Sequence, residues 1–264
     1  MAASTVEAWA RSLIVTTDMS AKLSPPSPPT CWSEEPGVVP RAPGRPEGLR
    51  QAKKSPKRPK RCTTPLQRAK LLHAFAHHEL QAAELFAWAL LRFHDAPPAF
   101  RRGLLRICLD ELRHTRAYVG QLERLGFRFG DFEIRDWFWD RVPSCATPAA
   151  FVACMGLGFE AGNLDHSARF ADAFEAAGDV EGANVQRVVG RDEIAHVRFA
   201  AKWFAEFTGE TCFERWLDAL PPPLSPMVMR GRPLNRSDRV RAGQSETFLA
   251  ALEAWEPSAP AAKA

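Results

Sequence analysis

Residues 110–114 read Asp-Glu-Leu-Arg-His, and residues 192–196 repeat the string as Asp-Glu-Ile-Ala-His. Each string places a Glu and a His three residues apart, which on a helix turns both side chains toward one face. Glu111 precedes Glu193 by 82 residues, and His114 precedes His196 by the same interval. Two further acids keep nearly this offset, since Glu79 lies 81 residues before Glu160. The chain therefore reads as two similar halves, each a helix with one inward Glu followed by a Glu-x-x-His helix.

The apolar period supports that division. Thr64-Pro65 is a cap followed by Pro at the first helical position, and it opens a helix running to about Phe93. Its seam is Leu72, Phe75, Glu79, Ala82, Phe86, Ala89 and Phe93, stepping by three or four. One acid thus occupies an apolar position, and the period nominates Glu79 rather than Glu84. The second helix, about 99–125, carries Leu104, Cys108, Glu111, Thr115, Tyr118, Leu122 and Leu125 on its seam, and Gly126 stops it. Residues 126–146 break the pattern and are too long for a hairpin turn, so they read as a crossover pinned by aromatic residues. Thr147-Pro148 opens the third helix, with Glu160 on its seam. Asp179 caps the fourth, with Glu193 and His196 on its seam. The expected fold is all-α: an antiparallel four-helix bundle of the ferritin-like kind, with one long crossover.

Four acids in one bundle core are prohibitive unless cations or protons compensate them. Glu79, Glu111, His114, Glu160, Glu193 and His196 together make the donor set of a two-metal site, with carboxylate and imidazole ligands that suit iron or manganese better than zinc. Six protein ligands over two metals leave open positions. Asp110 and Asp192 are candidates for accepting the outer imidazole N–H groups. Tyr118, the single tyrosine, lies one turn beyond His114 as a hydrogen bonder, a redox group or a core side chain. His73, His77, His78 and His166 are candidates for lining a cavity or for packing, and His94 falls in a turn. Asn163 and Asp165 read as groups near the site or as an exposed face.

Outside the bundle the chain changes character. The net charge is +4, but residues 1–70 carry an excess of eight positive charges, which leaves the remainder at −4. Residues 1–62 read as a basic, Pro-rich leader, largely extended or disordered, with a short helix within 4–23 whose contacts are Trp9, Leu13 and Ile14. Removing residues 1–60 is expected to leave the thermal transition of the bundle, residues 63–209, unchanged. Residues 210–264 form a C-terminal extension with a short helix at 211–220, an Arg-rich loop at 227–241 and a last helix near 245–256. The run Lys-Lys-Ser-Pro-Lys-Arg-Pro-Lys-Arg, residues 53–61, admits a nucleic-acid contact, although a solvated linker explains it more simply. Six scattered cysteines without CxxC spacing read as reduced thiols of a cytoplasmic protein. No apolar run approaches a membrane span, and the first residues lack the continuous apolar core of a secretory signal.

The stretches 73–85 (HAFAHHELQAAEL), 110–114, 159–166 (FEAGNLDH) and 192–204 (DEIAHVRFAAKWF) resemble a family of bacterial ferritin-like proteins known as a conserved domain of unknown function. The leader up to GRPEGL and the tail around RAGQSETFL extend the resemblance over most of the chain. More distantly, the arrangement is similar to tRNA-modifying di-iron hydroxylases and other ferritin-like oxygenases. The resemblance implies a two-iron centre (manganese or a mixed pair being the alternatives) bridged by Glu111 and Glu193. Glu79 and Glu160 would then be terminal, with His114 and His196 each on one metal. Asn163 departs from the Gly usual at its place. The family has no settled substrate. The complete ligand set, with the Arg-rich loop and aromatic crossover as a substrate entrance, points to a dioxygen-activating oxidase or hydroxylase. Its substrate is unidentified, small-molecule or other, and it would be served by an electron donor and work as a monomer or homodimer. The alternatives are an iron-handling ferroxidase, which would need a cage that the leader and tail disfavour, or a metal-stabilised binding protein. A rubrerythrin-like peroxidase lacks its CxxC pair.

Overall fold

Helix capping sets where the bundle begins. In the computed structural model, which describes residues 3–59 and 61–257, the Thr64 side chain accepts the Gln67 N–H while the Gln67 side chain reaches back to the Thr64 N–H. This capping box opens α3, Pro65–Arg92, after two short leader helices, α1 (Val6–Val15) and α2 (Met19–Leu23). A tight turn leads to α4, Pro98–Arg124, which Gly126 ends with its φ of 83°. Thr147 caps the third rod, which is interrupted: α5 (Pro148–Cys154) passes into a π-helical turn, Met155–Glu160, and then into α6, Ala161–Ala176. Asp179 accepts the Gly182 N–H and starts α7, Val180–Thr208. The fold is an all-α helical bundle with no strand among the described residues. Lys60 of the basic run and residues 258–264 of the extension lie outside the described residues.

The core is split. One apolar cluster takes the C-terminal half of α3, the N-terminal half of α4, and α7 beyond Ile194; it includes Phe86, Phe100, Phe151 and Phe204. A second takes the opposite ends of the same helices, with Leu72, Phe75, Tyr118, Leu122, Phe174 and Val189. Glu79, Glu111 and Glu193 fall near the junction of the two along α3, α4 and α7, and Glu160 meets them from the third rod, so the nominated acids form a polar layer across the bundle.

The leader has little regular structure beyond Leu23 but is laid on the bundle. Trp9, Leu13 and Ile14 of α1 are buried, and Leu49 lies in the second cluster. Gln51 bridges to Ile134 of the crossover, with Ala52 N–H donating to the Ile134 carbonyl at 2.8 Å. Its principal anchor is Glu84. This acid is wholly buried, pairs with Lys22 Nζ at 2.7 Å, and accepts both Arg45 Nη atoms at 2.6 and 2.8 Å. Trp139 Nε1 donates to it at 2.9 Å, and Arg45 continues to Asp136. Burial lowers the Lys22 pKa and Glu84 partly restores it. The leader is thus a charge donor to the core, which a free linker would not be.

The extension is likewise fixed from inside. After α8 (Phe213–Ala219), the Arg-rich segment is partly helical, with α9 at Arg236–Arg241, and α10 (Glu246–Ala254) closes the described chain. Asp165 on α6 is buried and accepts from Arg239 Nε at 2.9 Å, from Arg239 Nη2 at 2.7 Å, and from the Gly231 and Asn235 N–H groups. Arg239 is fully buried and Arg230 nearly so, which a solvated loop would not produce.

The dispensable-leader expectation changes accordingly. Removing residues 1–60 strips Glu84 of both cations, and orphaning a buried ion costs about 3–5 kcal/mol. The truncated chain is expected to unfold at lower temperature and denaturant concentration than the full chain. Coincident melting curves at matched metal content would refute the anchoring role.

Candidate metal centre

The six nominated residues come together. Glu79 on α3, Glu111 and His114 on α4, Glu160 at the end of the π-helical turn, and Glu193 and His196 on α7 are each no more than 5% exposed. Their donor atoms form two groups, each within 4.8 Å: Glu79, Glu111, His114 and Glu193, and Glu111, Glu160, Glu193 and His196. Glu111 and Glu193 belong to both. Each group can hold a metal ion.

The i, i+3 spacing puts each imidazole over its own helix's Glu. His196 Nδ1 lies 3.0 Å from Glu193 and 2.9 Å from Glu111, and His114 Nδ1 lies 3.5 Å from Glu111. Both rings turn Nδ1 inward and Nε2 outward. The outer nitrogens meet acids from the opposite half: His114 Nε2 is 3.1 Å from Asp192, and His196 Nε2 is 3.3 Å from Asp110. Asp110 and Asp192 therefore serve the partner motif rather than their own. A carboxylate on the outer nitrogen places its proton there and leaves Nδ1 as the inward lone pair, the arrangement a metal needs. Arg113 holds both aspartates, at 2.7 and 3.3 Å.

Several buried atoms here are poorly paired. Both Glu111 carboxylate oxygens and His114 Nδ1 lack a well-aligned hydrogen bond; Glu111 meets His114 Nδ1 at 3.5 Å and His196 Nδ1 at 2.9 Å. Buried polar groups are rarely left so, and an unmet carboxylate in a core points to a missing cation. The donor set, carboxylates with imidazoles, suits a divalent cation. Left to themselves, the groups compensate with protons. Burial and then the Glu111 charge push Glu79 well above the carboxylate range, while burial and then Glu193 do the same to Glu160. Burial would raise Glu111 too, but the adjacent His114 and the hydrogen bonds around it outweigh burial and hold it well below that range. Both histidines rise: burial opposes protonation, and the neighbouring glutamates and aspartates overcome it.

The other candidates separate clearly. Tyr118 is buried, packs on Phe75 and donates to Gln186 at 3.1 Å, beside the polar layer in the second apolar cluster. His73 accepts the Gly130 N–H at 3.0 Å and pins the crossover. His77 bonds Asp136 at 3.1 Å and belongs to the Glu84 network. His94 lies 3.3 Å from the Ser33 carbonyl. Asn163 donates to Glu193 at 2.9 Å, so the residue that replaces Gly touches a candidate ligand. Asp165 serves the extension.

A cavity of about 880 Å³ opens onto the layer. Glu79, Glu160 and Asn163 form its floor, and Met155, Trp137, Phe138 and Phe159 line it, as do leader residues 55–59. The leader's share of this wall was not legible beforehand, because a Pro- and Lys-rich run carries no periodicity.

A family model described as "Protein of unknown function (DUF455)" matches residues 3–250. A Haemophilus influenzae protein described as "Uncharacterized protein" is 29% identical over 160 residues, covering 58% of this chain and 54% of that relative's length. The chain thus spans about half of that curated relative. No solved structure matches. No described helix is long and apolar enough to cross a membrane.

Glu111→Ala or Glu193→Ala is expected to abolish the binding of both metals, whereas Glu84→Ala costs stability and leaves the metal content of the folded chain unchanged. Elemental analysis of the purified variants checks this. Metal affinity should also rise with pH. Glu79, Glu160 and the two histidines have raised pKa values and hold protons that the metals must displace. Titrations at pH 6 and pH 8 giving equal affinity would contradict that competition.

Proposed function

The chain belongs to the DUF455 family of proteins of unknown function, and from its own buried layer we propose that it is a ferritin-like two-metal oxidoreductase. In this reading it uses iron, activates dioxygen, and oxidises or hydroxylates an organic substrate held in the adjoining cavity. The observation that carries the reading is the pair of four-residue groups sharing Glu111 and Glu193, which suits two metals bridged by those two acids. Glu79 and Glu160 would be terminal ligands, and His114 and His196 would each bind one metal.

When bound, such a pair would supply redox chemistry on dioxygen. Hydroxylation would place one oxygen atom in a substrate C–H bond and release the other as water, drawing two electrons and two protons from an external reductant. The protein's own part is positioning. Asp110 and Asp192 fix both imidazoles, and Asn163 holds a Glu193 oxygen on the cavity side. The apolar lining of Met155, Phe138 and Phe159 excludes water from the floor.

The cavity favours turnover over iron handling, because its volume falls within the range of small-molecule sites. An iron-handling protein needs a route for ions but no chamber of this size, part aromatic and part charged.

Protein from iron-supplemented cells is expected to contain two irons per chain, to lose its reduced-iron spectrum on mixing with dioxygen, and to do so through a transient oxidised species. Mössbauer and stopped-flow optical measurements read both. Two metals that stay inert to dioxygen and to peroxide would overturn the oxidase assignment and leave a structural centre.

A further inference from the structure

The cavity wall also carries positive charge that no ion pair among the described residues neutralises. Arg50, Lys57, Arg58 and Lys70 all line it, and none forms an ion pair among the described residues. Arg135 and Arg230 also line it but are spent, Arg135 on Asp140 and Arg230 on the carbonyls of Leu252, Glu253 and Trp255. Arg58 is the most closely placed. Its Nη2 lies 2.9 Å from His78 Nε2, so its one polar neighbour is a neutral ring rather than an acid.

His78 is in turn packed on Phe138 at 5.1 Å, and Phe138 stacks on Phe159 at 4.8 Å. Arg58 thus stands at the end of an aromatic wall that runs toward Glu160. His166 lines the same cavity, and its buried Nδ1 has no hydrogen-bond partner. Two acids of the crossover, Asp131 and Glu133, line the cavity beside Lys70 and Arg50, which leaves Arg58 and Lys57 as the cations away from them. Glu79 and Glu160 are engaged in the metal layer.

Arg58 is exposed and has no counter-ion among the described residues, so it is free to meet a ligand of opposite charge entering the cavity, whose lining carries both signs. Arginine is the side chain best matched to carboxylate and phosphate oxygens. An apolar wall beside it selects for an apolar body.

We propose that the cavity binds a small organic anion, with Arg58 pairing with its carboxylate or phosphate group and its apolar body lying along His78, Phe138 and Phe159. Such a ligand would point its far end at Glu79 and Glu160, which makes it the substrate class of the centre described above. Its orientation rests on the metal-centre reading, whereas the anion subsite itself does not.

The test is calorimetric titration of the full chain, metal-loaded and metal-stripped, with 4-phenylbutyrate, phenyl phosphate and neutral 4-phenylbutanol. At least one anion is expected to bind ten-fold or more tightly than the alcohol in both preparations. Arg58→Gln should lower that anion's affinity at least ten-fold without changing the melting temperature, and Arg58→Lys should recover part of it. Equal affinity for alcohol and anions, no binding of any probe, or indifference to Arg58→Gln would overturn the proposal. Anion binding that vanishes on metal removal and ignores Arg58→Gln would place the anion on the metals, which refutes the subsite and keeps the metal centre. Arg58-dependent binding by protein that never takes up metal would do the reverse.

Discussion

Four carboxylates held in a bundle core are the constraint on which this structure depends. No packing of the surrounding side chains can offset the desolvation of four negative charges, so the layer must carry positive charge of some kind. Two imidazoles alone fall short of neutralising it, and the opposite pKa directions of Glu111 and of Glu79 and Glu160 are the consequence. Glu111, facing both histidines, is held well below the usual carboxylate range, while Glu79 and Glu160 on the cavity side are pushed well above it. A bound cation would compete with protons for these acids and would meet the Glu111 oxygens, which otherwise face the imidazoles. The crossed contacts, Asp192 on His114 and Asp110 on His196, then act on both halves at once. Each half orients the other's imidazole, so the two Glu-x-x-His motifs form one unit.

Glu84 shows the other solution to the same problem. It is buried on the same helix, five residues from Glu79, yet its charge is met entirely by the protein through Lys22, Arg45 and the Trp139 N–H. A site already paired this way has nothing to offer a metal. Both cations come from the leader, so a segment of low complexity becomes part of the core's electrostatics. Arg45 also reaches Asp136, and Asp136 reaches His77, which ties the leader, the crossover and α3 into one polar network beside the cavity. The residues that wall the cavity are thereby held by the same ion pairs that neutralise Glu84.

How much of this was legible in the sequence follows from the kind of signal each part leaves. An acid on an apolar seam is a strong contradiction of the helical period, so Glu79, Glu111, Glu160 and Glu193 stood out, and the caps at Thr64, Thr147 and Asp179 marked the rods. Glu84 stood in an equally apolar run, Leu80–Leu91, and could have been flagged as a second buried acid needing cations. Which cations would answer it could not be read, because Lys22 and Arg45 lie in segments whose composition resembles solvated chain. Arg239 and Arg230 were hidden for the same reason: two buried arginines among five in a short stretch leave no period. The crossing of the Asp–His pairs was also out of reach, since sequence spacing relates each Asp to the His four residues on. Only the packing of α4 against α7 brings the opposite pairs together.

The π-helical turn at Met155–Glu160 is the least readable element and links the layer to the cavity. Its last hydrogen bond runs from the Ala161 N–H to the Gly156 carbonyl, one residue farther back than an α-helix allows. The extra residue shifts the face presented by everything that follows, and such turns are favoured where a function repays the strain. Here two successive residues go to different duties: Phe159 joins the aromatic wall of the cavity, and Glu160 enters the carboxylate layer. The rod can bulge only because its neighbours come close. A Cβ on Gly156 would lie 2.1 Å from the Ala200 Cβ of α7, so the position tolerates nothing larger than glycine. A regular α-helix through 155–160 would keep the apolar seam but alter the placement of Phe159 and Glu160 relative to α7. The glycine contact thus helps join the carboxylate layer to the cavity beside it.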